Sequence, residues 1–304
     1  MGKVGVTMDM HMDLQPGTEL VKLARRIESA GYESLWLSDA MSREPYATAT
    51  FLLANTTKLK VGTAIATVYG RDAMTSAQAR RTIAEFSGGR FFLGLGVSNK
   101  QIIDLRHGEW IKPSLKLGRY LDQLHADLSV SAAPAKPAPV YVAAHGPELQ
   151  KLGRDKADGI LTWTMPPGHI ARSRKFLGPK SEISAQVPCV FNTDPAAARA
   201  TARKYLAPIW LPLPHYRKAW MESGLSEKDF EGEGSDALID AIFAWGDNAK
   251  IAKKIKEYHD AGANRVIAEP LRNAPPGSVH PLTGPVYVTA DWDGLIALAP
   301  ALSL

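Results

Sequence analysis

The feature that constrains the fold of this chain most strongly is a series of eight short apolar runs, separated by longer stretches with the spacing of amphipathic helices. Most of the runs lack the polar alternation of a half-exposed strand, which predicts strands covered on both faces. Strands that alternate with helices form parallel sheets, and eight of them are enough to close a barrel. We therefore predict an α/β fold, a single-domain (β/α)8 TIM barrel over residues 1–304. The predicted strands are Lys3–Met8, Ser34–Asp39, Leu59–Ala66, Arg90–Leu95, Val140–Ala144, Gly159–Trp163, Glu182–Asn192 and Arg265–Glu269.

One long segment interrupts the alternation between the seventh and eighth predicted strands. It contains Pro208, Pro212 and Pro214 and continues into the acidic stretch 227–233. This composition does not fit a single strand-helix unit, so we predict an insertion of short helices and loops over about 206–242. Long excursions of this kind in a compact domain are often binding loops or lids.

A doubly wound open sheet is the alternative fold. Gly94 and Gly96, at the end of the apolar run Phe91–Leu95, match the first two glycines of a dinucleotide-binding fingerprint. Asn99 stands where the third glycine belongs, and no helix is expected to begin directly after it. The weak fingerprint and the count of eight strands favour the closed barrel.

Charge and cysteine content limit the classes of partner. The formal charge of +5 comes from 36 basic and 31 acidic residues spread along the chain without a basic stripe, so we expect no nucleic-acid binding. No stretch has the length of a membrane span or the pattern of a secretory leader, so we expect a cytoplasmic protein that binds no membrane. Cys189 lies in the apolar run Val187–Phe191, which predicts core packing; a reactive thiol is the alternative.

Ligand chemistry in a barrel belongs at the C-terminal ends of the strands. The residues expected there are mostly small and uncharged, and they show no metal-ligand spacing, no nucleophile elbow and no phosphate loop. We therefore predict no metal site and favour an organic cofactor that supplies its own reactivity. The residues at these ends are Asp9, His11, Ser38, Asp39, the segment 64–69, Val97, Ser98, Asn99, His145, Gly146, Pro147, Trp163, Asn192 and Glu269.

Motifs in a fixed order run along the chain from about residue 3 to residue 270. They are Ser34-Leu35-Trp36-Leu37-Ser38-Asp39, Leu59-Lys60-Val61-Gly62-Thr63-Ala64-Ile65, the segment 87–98, the segment 139–147 with 157–161, and the segment 260–266. Together they resemble the luciferase-like monooxygenase superfamily. Within it the chain is most similar to the branch that uses the deazaflavin coenzyme F420, since Gly-Leu-Gly-Val-Ser follows the fourth strand.

The resemblance implies a flavin or deazaflavin bound across the C-terminal opening of the barrel, a small-molecule substrate and a homodimer. By position, Asp39 would bond near the cofactor ring, and Ala64-Ile65 would form a non-prolyl cis peptide behind it. A helix after Pro147 would direct its positive end toward the cofactor phosphate. The other cofactor-binding residues implied in this way are Gly96, Val97, Ser98, Asn99, His145 and Gly146.

Two positions depart from the family pattern. Relatives often carry His where this chain has Ala40, and some deazaflavin dehydrogenases carry a catalytic Glu near the position of Asn99. Neither Ala nor Asn exchanges a proton at neutral pH, which argues against a sugar-phosphate dehydrogenase of the best-known kind. Any proton donor must then lie elsewhere, and the candidate catalytic residues are His11, Tyr69 and His145.

Purely structural roles stay open for several of these residues. Asp39 at a strand end is also suited to cap the next helix or to bind backbone amides, and Ser98 and Asn99 are suited to turn hydrogen bonds. Arg71 is either an ordinary loop residue or the partner of an anionic group.

Three functions follow from the resemblance. The first is an oxidoreductase that uses F420 for hydride transfer to or from a small organic substrate. The second is an FMN-dependent monooxygenase in which reduced flavin meets oxygen. The third is a non-catalytic barrel that binds a flavin or another ligand, which the missing His and acid would allow.

Overall fold

Eight parallel strands close into a barrel in the computed structural model, which describes residues 2–8, 10–41, 43–126, 129–281 and 284–304. The eighth barrel strand pairs with both the first and the seventh, so that Arg265 lies beside Lys3 on one side and Ser184 on the other. This double pairing leaves the barrel sheet without an open edge. The predicted TIM barrel is confirmed, and the doubly wound open sheet is wrong.

The barrel strands agree with the predicted runs in number and order. They are Lys3–Thr7, Ser34–Leu37, Lys60–Thr63, Phe91–Gly96, Val140–Ala143, Gly159–Thr162, Glu182–Val190 and Arg265–Asn273. The third predicted strand is divided, because Lys60–Thr63 is followed by a separate two-residue strand, Ala66–Thr67. The eighth extends past the predicted Glu269, because its last residues pair antiparallel with Val288–Thr289. The other short strands are Ala244–Trp245, Val279–His280 and Gly284–Pro285.

Helices connect the barrel strands and cover the outside of the sheet. Several begin with Pro at the first or second position, where a missing N–H costs no hydrogen bond, and others begin after a side-chain cap such as Asp72 or Asp247. The α-helices are Gly17–Ser29, Pro45–Ala54, Ala73–Phe86, Lys100–Leu105, Pro113–His125, Pro147–Lys156, Pro167–Leu177, Pro195–Leu206, Pro214–Met221, Asp236–Ile242, Asn248–Asp260 and Trp292–Leu298. The 3-10 helices are Met10–Leu14, Glu227–Phe230 and Ala299–Leu302. No described helix is long and apolar enough to cross a membrane.

The segment 206–242 packs against the C-terminal ends of the seventh and eighth barrel strands. Trp220 and Phe230 share a buried cluster with Val190 and Leu271, which lie near those strand ends. The indole N–H of Trp220 also donates to the carbonyl oxygen of Thr164, 2.8 Å away, in the loop after the sixth strand. The segment therefore forms a wall at one side of the C-terminal opening, in agreement with the predicted insertion of short helices.

The barrel interior holds its own aromatic cluster, which we call the lumen cluster. Its buried members are Trp36, Phe92, Tyr141, Leu161 and Ile267. The lumen cluster fills the middle of the barrel, so that a ligand enters only at the ends of the strands.

A buried ion pair closes the N-terminal end of the barrel, below the lumen cluster. Arg265 is 1% exposed, and its Nε donates to Glu33 Oε2 at 2.6 Å. The guanidinium lies over the Phe92 ring, 4.7 Å from the ring centroid. Burial alone would raise the pKa of Glu33, but hydrogen bonds from Arg265 and Lys60 outweigh it and lower that pKa. Glu33 is therefore ionised at neutral pH.

Glu33→Gln is expected to lower the free energy of unfolding at neutral pH by about 3 kcal/mol, because it removes the hydrogen-bonded carboxylate of a buried guanidinium and leaves only the longer contact with Glu182, 3.6 Å away. The folded-state pKa of Glu33 is depressed, so this stabilisation is complete above the unfolded value of about 4.3 and is lost as the pH falls through the folded value. Urea titrations of both proteins at a series of pH values should show the difference shrinking in acid.

Glu19→Gln is the matched control, because the Glu19–Lys22 pair is exposed on a helix surface. We expect it to change the free energy of unfolding by less than about 0.5 kcal/mol. Equal losses for the two variants, or a difference that does not depend on pH, would contradict the ion-pair argument.

Candidate functional site

The C-terminal ends of the barrel strands and the loops that follow them form an opening that we call the mouth. Its floor is made of small residues. A Cβ atom placed on Gly96 would lie 2.8 Å from Ile65 Cγ1 and 3.2 Å from Ala143 Cβ, closer than such atoms normally approach. Gly96 is itself buried, so the absence of its side chain lets Ile65 and Ala143, which are partly exposed, pack against the fourth strand and form the floor.

The divided third strand forms one side of this floor. The peptide bond between Ala64 and Ile65 is cis and non-prolyl, as the resemblance implied. Both residues are partly exposed and pack against the lumen cluster. Just before them, Thr63 Oγ1 donates to the carbonyl oxygen of Gly94 at 2.7 Å and accepts from its N–H at 2.9 Å. The expected backbone geometry is present, and its role in cofactor binding stays a prediction.

Asp39, at the end of the second strand, is buried and fully engaged with the protein. Its carboxylate accepts hydrogen bonds from the Thr67 N–H at 3.1 Å, from Arg71 Nη1 at 2.9 Å and from Arg106 Nη2 at 2.6 Å. The next helix is capped by Glu44 and not by Asp39, so the helix-cap alternative is wrong. Asp39 instead binds the loop after the third strand, and two guanidinium groups stabilise its negative charge.

Arg71 is the partner of anionic groups of this chain. Besides Asp39 it contacts the carboxylate of Glu44, and its guanidinium lies 4.6 Å from the centroid of the Tyr46 ring. Burial would lower the pKa of Arg71, but the hydrogen bond and charge of Asp39 outweigh it and raise that pKa. Sequence reasoning missed Arg106, the second partner of Asp39, which lies 67 residues further along the chain.

Tyr69 lies at the rim of the mouth in a fixed orientation. Its ring stacks on Trp110 with 6.3 Å between centroids, and Lys116 Nζ lies 4.9 Å from the Tyr69 centroid. The hydroxyl oxygen accepts a hydrogen bond from the Ile111 N–H at 3.0 Å. Because the oxygen acts as an acceptor, its own proton stays available for donation. This geometry allows the predicted catalytic role of Tyr69, which stays a prediction.

The segment after the fourth strand turns sharply into a short helix. Ser98 has a φ of 58°, in the left-handed region, and Asn99 Oδ1 accepts from the Ile102 N–H at 3.1 Å. Asn99 is thus the N-cap of Lys100–Leu105. The expectation that no helix follows Asn99 is wrong. The alternative role of Asn99 in local hydrogen bonding is confirmed. Val97, Ser98 and Asn99 are all partly exposed at the mouth.

His145, after the fifth strand, lies among other aromatic side chains. Its Nε2 atom accepts from the Trp163 N–H at 3.1 Å, and its ring centroid lies 4.7 Å from that of Tyr216 and 6.0 Å from that of His169. Burial lowers the pKa of His145 well below its usual value, and the charges of His169 and His215 lower it further. The imidazole is neutral at neutral pH, and with Nε2 as an acceptor its proton belongs on Nδ1. This geometry favours a hydrogen-bonding role over an acid role.

Gly146 and Pro147 begin the helix Pro147–Lys156 at the edge of the mouth. A Cβ atom on Gly146 would meet no atom within 4 Å, so the space in front of the helix is open. Glu148, in the first turn, pairs with Lys112 at 2.9 Å, and hydrogen bonds from Ser114 and Lys112 lower its pKa. An ionised carboxylate therefore already offsets part of the positive end of this helix.

The third catalytic candidate falls on a part of the chain that the structure does not describe in full. His11 lies in the 3-10 helix Met10–Leu14, but its side chain is outside the described residues, as is the whole of Asp9. The catalytic role of His11 stays a prediction.

A second carboxylate at the mouth was not assigned a role from the sequence. Glu269, on the eighth strand, is partly exposed, and its Oε2 accepts hydrogen bonds from the Tyr205 hydroxyl at 2.7 Å and from the Gln186 side-chain amide. Gln186 Oε1 accepts from the Thr164 N–H at 2.7 Å, and the Tyr205 oxygen accepts from Trp163 Nε1 at 3.3 Å. We call these five residues the Glu269 network. The sequence signal that could have revealed it is Gln186, the polar residue in the otherwise apolar run from Ala185 to Phe191.

Cysteine and metal chemistry find no support in the described residues. Cys189 is fully buried, and its thiol donates to the carbonyl oxygen of Val187. Burial raises the pKa of the thiol far above its usual value, so the predicted core role is confirmed and the reactive-thiol alternative is not supported. Within the described ranges, no group of three or more His, Cys, Asp or Glu side chains is arranged to hold a metal ion.

Comparison with known proteins decides the family. Residues 4–126 and 117–265 match the family model of the luciferase-like monooxygenases. The chain belongs to this family. The predicted resemblance and the prediction of an oxidoreductase enzyme are thereby confirmed, while the cofactor and substrate are separate questions.

Individual relatives cover most of the chain. A 5,10-methylenetetrahydromethanopterin reductase of Archaeoglobus fulgidus is 30% identical over 82% of this chain and 87% of the relative. An F420-dependent glucose-6-phosphate dehydrogenase of Amycolatopsis mediterranei is 28% identical over 82% of this chain and 87% of the relative. The solved coenzyme F420-dependent tetrahydromethanopterin reductase of Methanopyrus kandleri has the same fold, with a TM-score of 0.71 at 19% identity over 88% of this chain and 93% of that protein.

Asp39→Asn is expected to lower the free energy of unfolding by about 2 kcal/mol, because Arg106 loses its carboxylate and Arg71 keeps only Glu44 of its two. The loss is smaller than for a fully buried pair, since Arg106 is 30% exposed and regains water. Urea denaturation measures it. Asp104→Asn, which removes an exposed pair with Lys100, is the control and should cost less than about 0.5 kcal/mol; equal effects would show that the Asp39 contacts do not stabilise the fold.

Proposed function

We propose that this chain is an F420-dependent oxidoreductase that binds the deazaflavin at the mouth of the barrel and exchanges a hydride with a small organic molecule. The observation that carries the proposal is the uncharged floor of small and apolar side chains at the mouth, where Ile65 of the cis peptide Ala64-Ile65 packs over the buried Gly96. A planar tricyclic ring needs such a floor, and a charged or bulky one would exclude it. The 28% identical relative from Amycolatopsis, which is named as F420-dependent, supports the choice of cofactor.

The residues at the mouth fit this group. Ala64-Ile65, packed over the buried Gly96, would face the ring, and Val97, Ser98 and Asn99 offer neutral hydrogen-bonding groups beside it. The open space in front of Gly146 would take the phosphate-bearing chain near the start of a helix. When bound, the deazaflavin accepts or donates two electrons as a hydride. The floor would hold the ring, and the wall formed by segment 206–242 would bound the space left for the substrate.

The experiment that tests the proposal is a pair of fluorescence titrations with purified F420 and FMN, followed by turnover measurements. We expect saturable binding of F420. We also expect F420 to be reduced by at least one member of a panel of primary and secondary alcohols and sugar phosphates. This reduction should occur both in the presence and in the absence of oxygen. Oxygen consumption that depends on reduced FMN would favour the monooxygenase instead. Binding of neither cofactor, or binding of F420 without turnover of any panel member, would count against the proposed activity.

Gly96→Ala is expected to raise the Kd for F420 by about tenfold, which corresponds to about 1.4 kcal/mol. The added methyl group would lie 2.8 Å from Ile65 Cγ1 and displace the residue that forms the floor. Gly118→Ala is the matched control, because its Cβ would lie 3.6 Å from Leu152 in ordinary contact on a distant helix. Urea denaturation checks that both variants fold. Equal Kd values for the two variants would place the cofactor away from this floor.

A further inference from the structure

Hydride transfer to or from an alcohol, amine, carbonyl or imine also moves a proton, and the structure indicates which residue takes it. We propose that Glu269 is the catalytic residue that exchanges this proton, an inference that rests on the proposed oxidoreductase function. This inference extends the proposed function by one catalytic group. The sequence motifs do not contain that group, and the side chains of Ala40 and Asn99 do not provide it. Its position and its orientation carry the assignment.

The position of Glu269 follows from the period of its strand. Side chains two residues apart share one face of a strand. On the eighth strand, Arg265 lies at the N-terminal end of the barrel interior and Ile267 belongs to the lumen cluster. Glu269 is the next residue on this face, so its carboxylate projects from the lumen into the mouth, where it is partly exposed.

Two neighbours fix the direction of the carboxylate. The Tyr205 hydroxyl and the Gln186 amide both donate to the same oxygen, Oε2. Each donor is itself held, Gln186 by the Thr164 N–H at 2.7 Å and Tyr205 by the Trp163 indole N–H at 3.3 Å. A catalytic group needs such support, because a small misplacement lowers the rate of proton transfer. Tyr205 and Gln186 are positioning residues in this arrangement.

The groups around Glu269 differ from those around Asp39, another carboxylate at the mouth. Asp39 binds two guanidinium groups. In the part of the chain that the structure describes, the titratable groups near Glu269 include Tyr205, Tyr216 and Cys189. Burial raises the pKa of each of the three, and the charge of Glu269 raises it further, so all three are neutral at neutral pH.

The chemical step balances without a further reactant. In the oxidation direction, the substrate carbon loses its hydrogen with the electron pair to the bound deazaflavin. The O–H or N–H proton of the substrate passes to the Glu269 carboxylate, and a C=O or C=N double bond forms. The protonated Glu269 then releases its proton to water at the mouth. In the reduction direction, the same carboxyl donates the proton to the oxygen or nitrogen as the hydride arrives at carbon.

The first test is chemical labelling, which needs no substrate. A water-soluble carbodiimide with glycine ethyl ester modifies accessible carboxyl groups, and peptide mass spectrometry locates the modified residues. We expect labelling of Glu269 that falls as the pH rises and that slows about tenfold with saturating F420. Labelling of the exposed Glu85, near the end of the helix Ala73–Phe86 and away from the mouth, should not respond to F420. An unlabelled Glu269 beside a labelled Glu85, or Glu269 labelling that ignores F420, would overturn the proposal.

The second test uses three variants and the fastest member of the alcohol panel. Glu269→Gln should bind F420 within about threefold of the unmodified protein but reduce it at least about 100-fold more slowly, as expected for loss of a general base. Glu269→Asp should recover part of the rate, and Glu85→Gln should leave it unchanged. A normal rate for Glu269→Gln with normal F420 binding would overturn the proposal. If the unmodified protein does not bind F420, the proposed function fails, while the pH dependence of labelling still decides whether Glu269 exchanges a proton at the mouth.

The role of Tyr205 has its own readout. Tyr205→Phe removes one donor to Glu269 without a change in shape, so it should shift the pH dependence of Glu269 labelling toward higher pH, because an anion that loses a hydrogen bond is more easily protonated. The F420 titration should stay unchanged. An unshifted labelling profile would show that Tyr205 does not position the carboxylate.

Discussion

Closure of the sheet by its eighth strand is the constraint on which the rest of the structure depends. This strand lies in register with the first strand on one side and with the seventh on the other, so its inward face crosses the whole barrel. The same face carries the buried cation at the N-terminal end, an apolar residue in the lumen cluster and a carboxylate at the mouth: Arg265, Ile267 and Glu269. One strand thus links the part of the barrel that stabilises the fold to the part where chemistry is proposed.

Two carboxylates of the mouth, Asp39 and Glu269, show how surroundings divide one residue class into different roles. Asp39 ties its own loop to two other segments by accepting bonds from Thr67, Arg71 and Arg106, so the protein's own groups occupy both of its oxygens. Glu269 accepts from a tyrosine and a glutamine and is partly exposed at the mouth. The first arrangement suits a structural carboxylate, whereas the second suits a group that meets a substrate. The missing His and Glu of the family pattern therefore do not leave the mouth without a candidate acid.

The wall formed by segment 206–242 places apolar and imidazole groups beside the proposed substrate space. Tyr216 contacts the ring of His145, and Trp220 bonds to the backbone of Thr164. The buried surroundings keep His145 neutral. Segments of this kind vary in length and composition on a common barrel, which makes them a natural place for substrate selection.

The sequence by itself determined the number and order of the strands, the closed barrel, the position of the insertion and the small residues of the floor. These depend on local period and residue size, which are visible along the chain. It also placed Asp39, Asn99 and His145 at the mouth. Only the tertiary structure decided what these residues do there, because their partners come from distant segments. Arg106 reaches Asp39 across 67 residues, and Gln186 reaches Glu269 across 83. Closing a barrel brings such segments together, and no local pattern records which side chains then meet.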